Sequence, residues 1–179
     1  MKRYVALLRG INVGGKNKIS MAELKKGVEA LGFSEVRTYL NSGNIIFSSA
    51  SDDKDVLVNK MKGMVRDCFH LDIPVLIVLQ KELEELLRNA PPWWGNDDKE
   101  IYDNIIFLIP PLSYEAFYDG VGNPKEAYEK AYHYKDVVFW SFSRKNYQKT
   151  NWWAKTAGPN IRDGITIRTA NTVRKIAGL

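Results

Sequence analysis

The sequence has few of the residues that most often bind metals or attack substrates. Its 179 residues include one cysteine, Cys68, and two histidines, His70 and His133, which do not form a cluster with metal-ligand spacing. A single cysteine cannot form an internal disulfide, and the first apolar run is too short for an export signal, so we expect a cytoplasmic protein. The sequence indicates no metal or thiol chemistry. The cofactor is therefore unknown, and whether the protein is an enzyme stays open.

Long apolar runs are also missing. No stretch reaches the roughly 18 apolar residues that a membrane-spanning helix needs, so we predict no membrane span. With 45% hydrophobic residues, the chain is long enough to fold as one compact domain or as two closely packed halves.

Acidic residues are scarce at both ends of the chain. The formal net charge is +5, and it divides into about +6 over residues 1–26, −8 over residues 27–143 and +7 over residues 144–179. If the two ends meet in space, they form a positive patch that attracts phosphates. The alternative is a solvated surface whose charges segregate by chance.

The first half of the sequence predicts a split βαβ unit. Ser20 and Glu23 form a capping box at a helix start, and Asp52 or Asp53 caps a second helix whose spacing places Leu57, Met61, Met64, Val65 and Cys68 on its apolar face. Apolar and β-branched runs predict strands at 4–8, 36–40, 45–47 and 75–79, and a third helix follows to residue 88. The order β-α-β-β-α-β plus a helix is ferredoxin-like.

The second half repeats this order. We predict strands at 105–109, 128–134, 137–142 and 165–168, and helices at 113–118, 151–157 and 171–177. We therefore expect an α+β protein with antiparallel sheets, in which two ferredoxin-like halves, residues 1–90 and 91–179, arose by internal duplication and pack as one body.

A glycine-rich loop, residues 9–18, is the strongest candidate site. Its sequence RGINVGGKNK has three glycines, three cations and two asparagines but no acid. In a split βαβ unit this loop lies beside the turn between the second and third strands, residues 41–44. We therefore predict an anion site at this edge. Its residues are Arg9, Gly10, Asn12, Gly14, Gly15, Lys16, Asn17, Lys18, Ser42, Gly43 and Asn44, with Arg168 and Asn171 added if the second half docks there.

The same loop is close to a phosphate-binding P-loop but departs from that motif. A P-loop ends in Ser or Thr and runs straight into a helix, whereas here the position holds Asn17 and the helix starts at Ser20. The sequence therefore disfavours a nucleotide hydrolase. A looser anion site and a purely structural loop both stay open.

Aromatic residues concentrate in the second half. All five tryptophans lie after residue 90, in part as the tandem pairs Trp93-Trp94 and Trp152-Trp153, and the second pair stands between Lys149 and Lys155. Tandem tryptophans more often fill a core or an interface, but aromatic and basic residues together also bind single-stranded nucleic acid. Our first hypothesis is a small-molecule enzyme or sensor for a phosphorylated or carboxylated ligand. The alternatives are a weak, non-specific nucleic-acid-binding module and a structural or protein-interaction domain.

Two segments near the N-terminus resemble a known family. LLRGINVGGKNKISMAEL and LGFSEVRTYLNSGNIIF look like the opening of the bacterial domain-of-unknown-function 1697 family. The closing segment IRTANTVRKIAGL is similar to the end of that family, although Thr169 and Ala170 stand where the family tends to have Asn and Trp. The resemblance implies a fold and the position of a site, and it implies no reaction.

Overall fold

The computed structural model describes all 179 residues, and its elements follow the predicted order. The first half contains β1 (Lys2–Leu8), α1 (Met21–Ala30), β2 (Ser34–Tyr39), β3 (Asn44–Ser49), α2 (Lys54–Phe69), β4 (Val75–Leu79) and α3 (Gln80–Arg88). The second half contains β5 (Ile101–Leu108), α4 (Tyr114–Val121), β6 (Glu129–Tyr134), β7 (Val137–Ser143), α5 (Trp152–Thr156), β8 (Ile165–Thr169) and α6 (Ala170–Ala177). Short 3₁₀ helices lie at Tyr147–Lys149 and Arg162–Gly164.

The strands form two antiparallel four-stranded sheets with equivalent orders, β2-β3-β1-β4 and β6-β7-β5-β8. In each half the first strand is central and pairs with the third and the fourth. This is the ferredoxin-like arrangement, so the predicted α+β fold with two such halves is confirmed.

The contacts divide the chain into two units. The first unit comprises residues 1–84 together with residues 176–179, and the second unit comprises residues 85–175. The boundary thus lies inside α3, and the last residues belong to the first unit because Arg3 Nη2 donates to the Leu179 carbonyl oxygen at 3.1 Å and Gln80 Nε2 to that of Ile176 at 3.1 Å. That the halves pack as one body stays a prediction.

In the first unit, the sequence places apolar side chains on both faces of the central strand. Tyr4, Ala6 and Leu8 pack in a core with residues of α1 and α2, such as Leu24 and Met61. Val5 and Leu7, which alternate with them, are also fully buried, so both faces of this part of the strand are covered. This agrees with the doubly apolar pattern in the sequence.

One helix-face assignment is wrong. Cys68 continues the apolar spacing of α2 but is exposed, whereas Met64 and Val65 are buried as predicted. The reason is that Cys68 lies in the last turn of the helix, where its neighbour Phe69 packs against the core instead. The helix ends directly afterwards at His70, which takes a left-handed conformation with φ of 56°.

Candidate functional site

The glycine-rich loop folds as a small hairpin between β1 and α1. The N–H of Asn12 donates to the carbonyl oxygen of Asn17 at 3.1 Å, and the N–H of Lys16 donates to that of Val13 at 3.0 Å. Residues 18–20 separate this hairpin from α1, which begins at Met21, so no helix N-terminus opens directly into the loop, unlike the arrangement in a P-loop.

The loop depends on left-handed backbone conformations. Gly14 and Gly15, at the hairpin tip, have φ angles of 58° and 76°, which are the values expected for a type I′ turn. Gly10 has a φ of 73°, and Asn12 and Asn17 have φ angles of 54° and 48°. Asparagine is one of the few side chains that tolerates this region, which explains why the non-glycine left-handed positions of this loop are asparagines.

The asparagine side chains hold the loop in place. Oδ1 of Asn12 accepts from the Ile19 N–H at 2.8 Å, and its Nδ2 donates to the carbonyl oxygens of Ile19 at 3.0 Å and Asn41 at 2.9 Å. Nδ2 of Asn17 donates to the Gly10 carbonyl oxygen at 2.9 Å. The bond to Asn41 joins the loop to the 41–44 turn, so the two segments are neighbours as the topology predicts. Both amides are already engaged in stabilising the loop.

Gly43, in the turn, is required by a close approach. A Cβ atom there would lie 2.7 Å from Leu8 Cβ and 3.1 Å from Ile11 Cδ1, and Gly43 also has a φ of 84°. Its carbonyl oxygen accepts from the Leu8 N–H at 2.8 Å. This glycine therefore lets the turn pack onto the end of β1, and its role is structural.

Asn44 is also inside the protein. It is fully buried, and its Nδ2 donates to the Tyr39 carbonyl oxygen at 2.9 Å and to Ser42 Oγ at 3.0 Å. Since the amide lies beneath the turn, Asn44 supports the shape of this edge. Ser42, which accepts the second bond, is half-buried at the turn itself.

The cations of the loop differ in their surroundings. Lys16 and Lys18 are exposed and form no ion pair with a carboxylate. Arg9 is half-buried at the end of β1, and its backbone N–H donates to the Pro74 carbonyl oxygen at 3.0 Å. Beside Lys18 the loop borders an open depression of about 520 Å³, lined by Asn12, Gly15, Lys18, Ile19, Ser20, Met21 and Asn41.

The two predicted residues of the second unit lie near its last strand. Arg168 is 8% exposed in β8, where its Nη1 donates to Thr166 Oγ1 at 2.8 Å and to the Ile167 carbonyl oxygen at 2.9 Å. Asn171 is exposed in the first turn of α6. Their approach to the glycine-rich loop depends on the docking of the halves and stays a prediction.

A second depression, of about 320 Å³, lies in the second unit and is lined in part by three aspartates. Asp97 pairs with Arg174 at 3.5 Å, Asp98 accepts from the Glu100 N–H at 2.9 Å, and Asp103 accepts from the hydroxyl of Ser141. Each carboxylate is therefore engaged within the protein. The structure contains no group of three or more His, Cys, Asp or Glu side chains placed to hold a metal ion.

Sequence reasoning missed one buried charged residue, Glu129. Its side chain accepts from the N–H groups of Lys125 at 2.9 Å and Asn151 at 2.6 Å and from Trp140 Nε1 at 3.0 Å, although the residue is only 3% exposed. Lys125 is four residues away, but Trp140 and Asn151 are 11 and 22 residues away, so no local pattern could identify the full set of partners. The carboxylate fixes the start of α5 to β6 and β7.

The tandem tryptophans are not equivalent within a pair. Trp94 is buried and its Nε1 donates to the Asn104 carbonyl oxygen at 2.8 Å, whereas Trp93 is half-buried. Trp152 is 1% exposed, but Trp153 is 44% exposed. One member of each pair therefore fills the core, and Trp153 is available on the surface.

Fold and site together define the class: an α+β protein of two ferredoxin-like halves with a cationic, glycine-rich loop after its first strand. The chain belongs to the family described as "Protein of unknown function (DUF1697)", whose model matches residues 1–139, so the resemblance is confirmed. It is also similar to the solved structure of a conserved bacterial protein from Streptococcus pneumoniae. The two are 35% identical with a TM-score of 0.85, and the match covers 99% of this chain and 97% of that one. No curated protein matches the chain. No helix in the structure is both long and apolar enough to cross a membrane.

Proposed function

We propose that the protein binds a small phosphorylated or carboxylated ligand at the edge formed by the glycine-rich loop and the 41–44 turn. One observation carries the proposal: Lys16 and Lys18 project from a hairpin that contains no acid, and neither lysine has a carboxylate partner. A concentration of unpaired positive charge on an ordered loop attracts an anion.

The hairpin tip adds hydrogen-bond donors to this charge. The N–H groups of Gly14 and Gly15 have no backbone acceptor, and no heavy atom lies within 4 Å of the position a Cβ would take at either residue. An anion can therefore approach the backbone closely, as in other anion-binding nests. Asn12 and Asn17 hold the hairpin in one conformation, which lowers the entropy lost when a ligand binds.

The role supported here is recognition, in a sensor or in an enzyme whose chemistry is unknown. The first unit has an antiparallel sheet and lacks the P-loop hydroxyl at Asn17, so a nucleotide hydrolase stays disfavoured. The cofactor is unknown. We further propose that the protein works in the cytoplasm and that the equivalent sheet orders reflect internal duplication.

A second candidate function, protein interaction, is favoured by two exposed apolar residues near the same edge. Val13 is 62% exposed at the hairpin, and Leu40 is 56% exposed beside the turn. Leu40 also has a φ of 55°, which is costly for a leucine. A partner protein with an apolar contact and acidic neighbours would match this edge.

The test of ligand binding is a thermal-shift titration with inorganic phosphate, ADP, glucose 6-phosphate and citrate. We expect at least one anion to raise the Tm saturably for the wild type and the Lys16→Ala/Lys18→Ala variant to lose this response. The matched control is Lys60→Ala/Lys81→Ala, which removes two exposed lysines without ion pairs from α2 and α3 of the same unit. Equal loss in both variants, or no loss in either, would contradict the proposal.

Arg9→Ala provides a separate arm. If Arg9 grips the ligand, this variant loses the response while its Tm without ligand is nearly that of the wild type. If the variant unfolds, Arg9 is a structural residue, and the site then consists of the lysines and the hairpin backbone.

A further inference from the structure

Residues 144–155 of the second unit form a basic aromatic segment. The sequence RKNYQKTNWWAK has four cations and three aromatic residues and contains no acid. All four cations, Arg144, Lys145, Lys149 and Lys155, are exposed, and none forms an ion pair with a carboxylate. The segment therefore presents net positive charge that the protein does not neutralise.

Trp153 is the exposed ring at the centre of this surface. Its indole makes edge contacts with Tyr147, at 4.7 Å between ring centroids, and with Phe142, at 5.6 Å. These contacts fix the ring, yet 44% of the residue is exposed. An aromatic ring that is held in place and open to solvent loses little entropy when a flat ligand stacks on it.

The backbone beneath Trp153 is also fixed. Its N–H donates to Thr150 Oγ1 at 3.2 Å, and the carboxylate of Glu129 accepts from the N–H groups of Asn151 at 2.6 Å and Trp152 at 3.4 Å. Trp152 is buried, and its Nε1 donates to the Gly122 carbonyl oxygen at 2.9 Å. The buried tryptophan thus anchors the exposed one.

Rings and cations continue away from Trp153. Phe142 contacts Tyr102 at 5.6 Å, and the guanidinium of Arg144 lies 3.8 Å from the centre of the Tyr102 ring. The Nζ of Lys149 lies 5.6 Å from the centre of the Tyr128 ring. Arg144 is therefore connected to Trp153 through the rings of Tyr102 and Phe142. Lys149 is exposed four residues before Trp153 in the chain.

We propose that this surface binds single-stranded nucleic acid without sequence preference, with a base stacked on Trp153 and the backbone phosphates held by Lys145, Lys149 and neighbouring cations. A single strand fits because its bases are free to stack, whereas the bases of a duplex are already stacked on each other. A protein partner fits less well, because lysine is depleted at protein interfaces and three of the four cations are lysines.

The experiment measures fluorescence anisotropy of 5′-fluorescein-labelled 20-mers of dT and of U with the full chain, at 20 mM and 200 mM NaCl. Binding of either strand at low salt supports the proposal, and the ratio of the two affinities identifies DNA or RNA as the source. With about three phosphates neutralised, the affinity should fall about 100-fold between the two salt concentrations. A 20-base-pair duplex should bind more weakly than the single strands.

Matched variants separate stacking from charge. Trp153→Ala should weaken binding by about 5- to 150-fold, the range found for the removal of one stacking ring, and Trp153→Phe should restore part of it. The control is Tyr132→Ala, since Tyr132 in β6 is exposed to the same degree, 45% against 44%. Lys145→Glu/Lys149→Glu should abolish binding, whereas Lys60→Glu/Lys81→Glu changes the net charge equally and should retain it.

Three outcomes would overturn the proposal. The first is that neither single strand binds at 20 mM NaCl. The second is equal affinity of Trp153→Ala and Tyr132→Ala, with circular dichroism showing that both are folded. The third is equal loss in the two lysine double variants. The Lys16→Ala/Lys18→Ala variant changes only the ligand site of the first unit. It should bind the single strands as the wild type does, which shows that the two proposals stand or fall separately.

Discussion

The two halves share one topology but place their cations in different connections. In the first half, the β1–α1 connection carries Arg9, Lys16 and Lys18, whereas the equivalent β5–α4 connection, residues 109–113, has no charged residue. In the second half, the β7–α5 connection, residues 144–151, has three cations and no acid, whereas the equivalent β3–α2 connection, residues 50–53, has two aspartates.

These two connections also lie at opposite ends of the strands in their sheets. The β1–α1 connection follows the end of β1, while the β7–α5 connection follows a strand that is antiparallel to the central strand β5. Each half therefore has its own cationic edge, and neither edge is repeated in the other half. The common fold fixes the core of both halves and leaves the surface connections to carry different functions.

The largest expected effect tests whether the two cores contribute equally. Leu24 in α1 and Phe117 in α4 are both fully buried on equivalent helices. Leu24→Ala should lower the free energy of unfolding by about 2–5 kcal/mol and Phe117→Ala by about 3–5 kcal/mol, because each leaves a cavity. Urea melts measure both changes.

The control for this pair is Val56→Ala, since Val56 is 42% exposed on α2 and its loss should change stability by less than about 0.5 kcal/mol. If Leu24→Ala matches the wild type within error, α1 does not pack through this face. If only one of the two core variants is destabilised, the halves share their topology but their cores do not contribute equally to stability.

A smaller effect distinguishes two glycines of the candidate site, Gly43 and Gly15. The equivalent β6–β7 turn of the second half, residues 135–136, has no glycine. Gly43→Ala should cost about 2–4 kcal/mol, because the new methyl group meets Leu8 and the φ of 84° is unfavourable. Gly15→Ala has the φ penalty alone, about 1–2 kcal/mol, since its Cβ would lie in open space.

Urea melts of the two glycine variants, with the thermal-shift titration repeated on each, give the comparison. A Gly15→Ala variant that is less stable than Gly43→Ala would show that the hairpin tip, and not the turn, is the more tightly packed part of this edge. A larger loss of stability for Gly43→Ala than for Gly15→Ala would support a structural role for Gly43 and a ligand-facing position for Gly15.

Local patterns in the sequence were sufficient to predict the fold. The apolar runs, the Ser20 cap and the helical spacing from Leu57 to Val65 each reflect a local periodicity, and the order of elements then determines the topology. The same topology placed the glycine-rich loop beside the 41–44 turn. Cys68 was assigned wrongly because periodicity does not report where a helix extends past the core that it covers.

The side-chain roles at the site could not be predicted in the same way. Asn12 lies in a loop of glycines and cations, and composition alone makes it a ligand candidate, but its amide joins Ile19 and Asn41. Glu129 accepts from Asn151, 22 residues away. Such partners depend on tertiary structure, and no spacing rule in the sequence identifies them.

The smallest expected effect compares one carboxylate from each unit, Glu35, which is exposed, and Glu85, which is half-buried. The pKa of Glu35 is lowered chiefly by the hydrogen bond from Ser48 Oγ, at 2.6 Å, and then by the charge of Arg3. The pKa of Glu85 is lowered chiefly by the hydrogen bond from Lys135 Nζ, at 2.6 Å, and then by that from Tyr134.

A lowered pKa means that the folded state favours the charged carboxylate, so the stabilisation is present above the unfolded pKa of about 4.3 and is lost as the pH falls through the folded value. Glu35→Gln and Glu85→Gln should therefore lower the urea midpoint at pH 7, and the difference from the wild type should shrink below about pH 4. A difference that grows on acidification would mean that the pKa is raised instead.

Salt distinguishes the two units. The main partner of Glu85 is a cation, so 1 M NaCl should reduce its effect, whereas the main partner of Glu35 is a neutral hydroxyl, whose hydrogen bond is screened less. An equal response of both variants to salt would show that Arg3, rather than Ser48, dominates at Glu35.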